Sequence, residues 1–187
     1  FCSLPLAAVA ETGADPGAPK AAIERWKDLR FGMFIHWGPV SLTGEEIGWS
    51  RGAARPNQSQ GGKGPTPVEV YDNLYRQFNP TKFNADEWVA IAKAAGMKYM
   101  VFTTKHHDGF SMWDTAYSEW NAAKMGPKRD IVGELSVAIK KAGLKFVTAF
   151  HHAENWYFFP VWDKRYDCGD PRYSGLYGPI PEKGAQP

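Results

Sequence analysis

Five histidines occur in the 187-residue chain, and each stands at the end of a short apolar run: His36, His106, His107, His151 and His152. A neutral imidazole both donates and accepts hydrogen bonds, which suits it to sugar hydroxyls, and it also ligates metals. One histidine in such a place is commonly structural; five in equivalent places point to a site. Adjacent histidines leave a regular strand on opposite faces, so both members of a pair reach one ligand only if the backbone turns there. Asp108-Gly109, directly after the first pair, permits such a turn. Sugar binding tolerates the resulting spread better than a tight coordination sphere does. No cysteine or close Asp/Glu cluster completes a ligand set, so neither a metal nor a cofactor is expected, and a His-ligated metal-dependent hydrolase is the competing chemistry.

The elements that must position these side chains are written in a repeat. Residues 91–107, IAKAAGMKYMVFTTKHH, and residues 138–152, AIKKAGLKFVTAFHH, share one pattern. A helical stretch stops at glycine (Gly96, Gly143), Met or Leu followed by Lys leads on, and an apolar run ends in two histidines. Glycine takes the left-handed position that closes a helix, and an unbroken apolar run of this length is a strand buried on both faces. Each copy is therefore one αβ unit. Asn84, with Glu87 three residues later, opens the first helix, whose Trp88, Ile91, Ala92 and Ala95 follow at helical spacing. Asp130 opens the second, with Val132, Leu135, Ile139 and Ala142 on one face up to Gly143. The run from Arg30 to Pro39 is a first strand ending on His36, and Lys145 to Phe150 is the third. The order βαβαβ places polar residues at the carboxyl ends of parallel strands, where α/β folds build their sites. A barrel of eight such units takes roughly 250 residues, so three strands leave one open.

Composition bounds the rest. With 43% hydrophobic and 14% aromatic residues the chain can bury a core, and no stretch reads as a membrane span. A net charge of +2, with acidic and basic residues mixed along the sequence, offers no patch for nucleic acid or anionic lipid. Eight Trp, eight Tyr and eleven Phe supply a large aromatic core, with enough left over to wall a ring-shaped ligand. Residues 1–10 resemble the end of a signal peptide with an Ala-x-Ala site at Ala8 and Ala10, so export to the periplasm or outside the cell is expected. Residues 11–20 read as a linker, Ala21 to Leu29 as a short helix with Ile23 and Trp26 on one face, and 21–187 as one domain. Within it, 52–67 is a Gly- and Pro-rich insertion without periodicity, expected as a surface loop. Cys168 either pairs beyond residue 187 or is free.

Two segments carry a family resemblance. Arg30 to Gly38, RFGMFIHWG, and Thr104 to Phe110, TKHHDGF, followed by Trp113, resemble the α-L-fucosidases of glycoside hydrolase family 29 over roughly residues 24–160. The resemblance implies an α/β fold, the N-terminal part of a (β/α)8-like (TIM) barrel with about three βα units. It also implies removal of terminal α-L-fucose from fucosylated oligosaccharides or polysaccharides, with retention through a covalent glycosyl-enzyme. It assigns His36, His106 and His107 to the fucose hydroxyls. Where the family has Glu before the Trp of the loop after the first strand, Gly48 precedes Trp49, and Glu46 or Glu45 is left to supply that carboxylate. The third strand fits with a one-residue ambiguity between His151 and His152. The nucleophilic Asp of the family has no counterpart here, and it and the acid/base are expected beyond Pro187, which makes residues 1–187 alone inactive. A sugar-binding pseudoenzyme is the alternative. Fucose carries a methyl where galactose has a hydroxymethyl, so its site needs an apolar wall, for which Trp37 and Trp113 are the candidates.

Overall fold

The computed structural model describes residues 17–47, 50–52, 64–106, 108–151 and 170–171. Residues 1–30 and 31–187 form two separate units. In the first, helix α1 (Lys20–Leu29) starts after Pro19 and contains no buried residue; Ile23 and Trp26 lie on it three residues apart.

The second unit is built on a parallel sheet in the order β1-β2-β3: Gly32–Ile35, Tyr99–Lys105 and Lys145–Phe150. Gly32 pairs with Tyr99, which pairs with Lys145, so the three strands start level. Parallel neighbours cannot be joined by a tight turn. Helix α3 (Ala85–Ala94) leads from the β1 side into β2, and α4 (Ile131–Lys141) leads from β2 into β3. Asn84 accepts from the backbone N–H of Asp86 and Glu87 at 3.0 and 3.3 Å, and Asp130 accepts from that of Gly133 at 2.7 Å. Each carboxamide or carboxylate thus satisfies donors that the helix itself leaves unpaired. Both helices end alike. Met97 N–H reaches Ala92 O and Gly96 N–H reaches Lys93 O, while Leu144 N–H reaches Ile139 O and Gly143 N–H reaches Lys140 O. Gly96 and Gly143 hold φ of +79° and +76°, the left-handed geometry that this double bond pattern requires.

One sheet face packs on these helices. Met100 and Phe102 of β2, with Met33, Ile35 and Phe146 from its neighbours, meet Val89 and Ala92 of α3 and Ile131, Leu135, Ala138 and Ile139 of α4. On α3 the buried stripe runs through Ala85, Val89 and Ala92; Ile91, expected on that face, is 60% exposed, because it sits about 120° round the helix from the centre of the stripe. Between β1 and α3 lie a 3-10 turn at Pro39–Thr43, helix α2 (Val68–Tyr71) and a second 3-10 turn at Leu74–Arg76, with their own small core of Val40, Ile47, Tyr71 and Leu74. The insertion expected over 52–67 is closed at its base. Arg51 bridges Thr66, Thr66 N–H donates to Ser50 O at 2.8 Å, and Gly52 N–H donates to Thr66 O.

Candidate active site

β1 ends at Ile35, and His36 follows it on the face turned away from the helices. β2 reaches the same level by an irregular route. Thr103 pairs with Ala149, but the next pair is Lys105 with Phe150, so Thr104 is an extra residue on β2. A side chain's face alternates with every residue, and one added residue reverses all that follow. Were Thr104 paired in regular alternation, His106 would share the face of Met100 and Phe102 and point toward the helices. With the irregular pairing, His106 lies on the side of His36, their ring centres 4.7 Å apart, and His151 at the end of β3 stands 4.3 Å from His106 on the other flank. Thr104 fastens the irregularity by donating its hydroxyl to Ala149 O at 3.1 Å, and its carbonyl accepts from Met112 N–H at 2.9 Å. The expected turn after the first histidine pair is present: Gly109 has φ of +87°, and its N–H donates to His106 O at 3.0 Å.

Three strands thus deliver three imidazoles in one row. His106 in the middle is buried, His151 partly so, and His36 is the most open. Burial, and then the neighbouring His151, hold the His36 imidazole below its usual value, while Glu46 opposes them. Of the two candidate loop acids, Glu46 is thereby the one whose charge reaches the row. The His36 ring is thereby favoured in its neutral form, and a neutral imidazole offers both a donor and an acceptor to a polyhydroxy ligand. Among the described residues no group of three His, Cys, Asp or Glu side chains is placed to hold a metal ion.

Beneath the row lies a charged cluster that sequence reading did not single out. Lys105 is fully buried; its Nζ donates to His151 O at 2.5 Å and sits 4.7 Å from the centre of the Phe150 ring. Burial lowers its ammonium to about 8, against the pull of Asp108. Asp108 accepts from the Tyr71 hydroxyl at 2.9 Å and from Phe110 N–H at 3.2 Å. Burial pushes this carboxyl up and nearby Asp72 adds to the push, whereas Tyr71, Phe110 and Lys105 oppose it. Asp72 in turn takes Arg51 in a two-bond pair, both contacts 2.7 Å. The one available signal was Lys105 itself, a charge at the end of a run otherwise read as a buried strand.

The remaining expected residues fall in different places. Trp37 turns into the aromatic core, its ring 5.2 Å from Phe78, 5.6 Å from Phe83 and 5.2 Å from Trp88, so its apolar face is spent on packing and not on a ligand beside His36. Trp113 rests edge-on against Phe150 at 5.8 Å, and Phe150 leaves β3 one residue before His151, on the opposite face in regular alternation. Phe34, 63% exposed, lies 6.3 Å from the His36 ring. His107, Trp49 and His152 lie outside the described residues, as do residues 53–63, Cys168 and the stretch 1–16.

A parallel sheet with covering helices and a polar row at its strand ends places the chain in the α/β class. A family model described as alpha-L-fucosidase matches residues 12–176. The chain belongs to the alpha-L-fucosidase family. Tissue alpha-L-fucosidase of Homo sapiens is 36% identical over 154 residues, which cover 79% of this chain and 33% of that protein. Plasma alpha-L-fucosidase of Homo sapiens is 42% identical over 129 residues, 65% of this chain and 28% of that protein. Among solved structures, alpha-L-fucosidase AlfC from Lactobacillus casei in complex with alpha-L-fucose product is 40% identical with a TM-score of 0.56, over 70% of this chain and 40% of that one. The chain spans about a third of the length of the curated relatives it matches.

Proposed function

We propose that the whole protein is an exported exo-glycosidase that releases terminal α-L-fucose from fucosylated oligosaccharides or polysaccharides, and that these residues form the first three βα units of its (β/α)8-like barrel. The observation that carries this reading is the row His36–His106–His151 across three parallel strand ends, in a chain of the alpha-L-fucosidase family. In this reading His36 and His106, with His107 beside them, hydrogen-bond the fucose hydroxyls, His151 extends the same surface, and Glu46 supplies the loop carboxylate. The apolar surface that meets the fucose methyl is Phe34, given its exposure beside His36.

Retaining hydrolysis needs a nucleophile and an acid/base carboxyl roughly 5 Å apart. The described strand ends carry imidazoles, and Asp108 is already engaged by Tyr71 and Phe110. In this reading both catalytic carboxylates lie in sequence beyond Pro187. The test is proton NMR of the full-length protein acting on an aryl α-L-fucoside. Release of α-L-fucose as the first anomer supports the reading; β-L-fucose first would remove the retaining mechanism, and no turnover would remove the activity.

A further inference from the structure

Burying an ammonium group costs free energy that an apolar side chain of the same length would not. Lys105 nevertheless stands fully buried at the end of β2, at the point where the extra residue Thr104 breaks the regular pairing with β3. What it holds there is unusual. His151 N–H donates to Lys105 O at 3.0 Å, and Lys105 Nζ donates to His151 O at 2.5 Å. Both backbone polar groups of His151 are thus bound by one residue, its side chain supplying the contact that the broken ladder does not. The ammonium is steadied from below by the Phe150 ring and by the field of Asp108, itself fixed by Tyr71 and Phe110 and adjoined by the Arg51–Asp72 pair.

We propose that Lys105 is a positioning residue: by clamping His151 through both of its backbone groups it sets the third imidazole against His106, and so fixes the spacing with which the row meets its ligand. This rests on the reading of the row as a sugar site. The clamp acts on geometry, and Lys105 does not touch the sugar. Its charge weakens as pH rises through about 8, so the Nζ–carbonyl contact is strongest below that value. The charged and titratable groups facing it are Asp108 in the following loop and His151 on β3, with Tyr71, Asp72 and Arg51 behind Asp108.

The experiment uses the full-length protein, its histidines labelled with 15N, as wild type and as Lys105→Met. In the variant the expected result is a ring spectrum in which His106 and His151 shift while His36 moves less. A 10- to 100-fold lower kcat/KM on an aryl α-L-fucoside and a melting temperature that is unchanged or higher should accompany it. Unchanged His106 and His151 signals, with unchanged kcat/KM, would overturn the proposal. If that variant does not fold, the wild type alone decides. The His151 ring signal should pass through an inflection near pH 8, and its absence contradicts the clamp. A wild type that ignores the fucoside while the ring signals behave as expected would sink the sugar reading and leave the clamp standing.

Discussion

In the imidazole row, the most open ring has the clearest pH behaviour. Burial and His151 depress the folded pKa of His36, and Glu46 only partly offsets them. In the unfolded chain the ring titrates near 6.5. Above that value it is neutral in both states and contributes nothing. As pH falls below it, the unfolded chain takes the proton first, so stability declines until the folded ring is also charged. We expect the melting temperature of the full-length protein to fall between pH 6.5 and 5 less steeply in His36→Asn than in wild type, and parallel slopes would contradict the assigned shift. On the proposed reading of the row, substituting His36 or His106 by Ala removes a hydrogen bond to an uncharged hydroxyl and leaves that hydroxyl buried unpaired. Such a loss is worth about 1–3 kcal/mol, or roughly 5- to 150-fold in kcat/KM. Kinetics on an aryl α-L-fucoside check this, and two unchanged values would make the row structural. Trp37, expected from the sequence as an apolar wall, directly follows His36 and so alternates to the other face, where it packs against Phe78 and Trp88.

At the scale of elements, the αβ repeat was legible because each of its signals is local. Asn84 and Asp130 cap, Gly96 and Gly143 terminate, and the strands begin two or three residues later at Tyr99 and Lys145. The irregularity at Thr104 was not legible, since Thr-Thr-Lys continues a strand pattern and only the pairing with β3 shows the extra residue. It decides more than any single side chain, because it chooses which histidine of the pair faces His36. Inserting one residue after Thr104 should turn His106 toward the helices, whereas deleting Thr104 straightens β2 and leaves His106 on the face it already occupies. The expected loss in kcat/KM for the insertion exceeds that of His106→Ala alone, and an insertion variant as active as wild type would show that the row tolerates either parity. The Lys105, Asp108 and Tyr71 contacts were hidden for the same reason: they join residues 71, 105, 108 and 151, far apart in the chain.

For the whole molecule, the sheet order β1-β2-β3 leaves both outer strands unpaired on one side among the described residues, and Phe34 and Phe150 on them are 63% and 43% exposed. Unpaired apolar edges are unstable and association-prone. Residues 1–187 expressed alone are therefore expected to melt without a sharp cooperative transition and to leave an aryl α-L-fucoside intact. Calorimetry and a turnover assay check the two halves of that expectation. On the proposed function, the histidine row is the surface on which fucose sits. A crystal structure of the full-length protein with α-L-fucose tests it most directly. Imidazole nitrogens of His36 and His106 are expected within about 2.7–3.2 Å of fucose hydroxyl oxygens, with the sugar methyl toward Phe34. Fucose bound elsewhere, or bound here with no imidazole closer than about 3.5 Å to a hydroxyl, would contradict it.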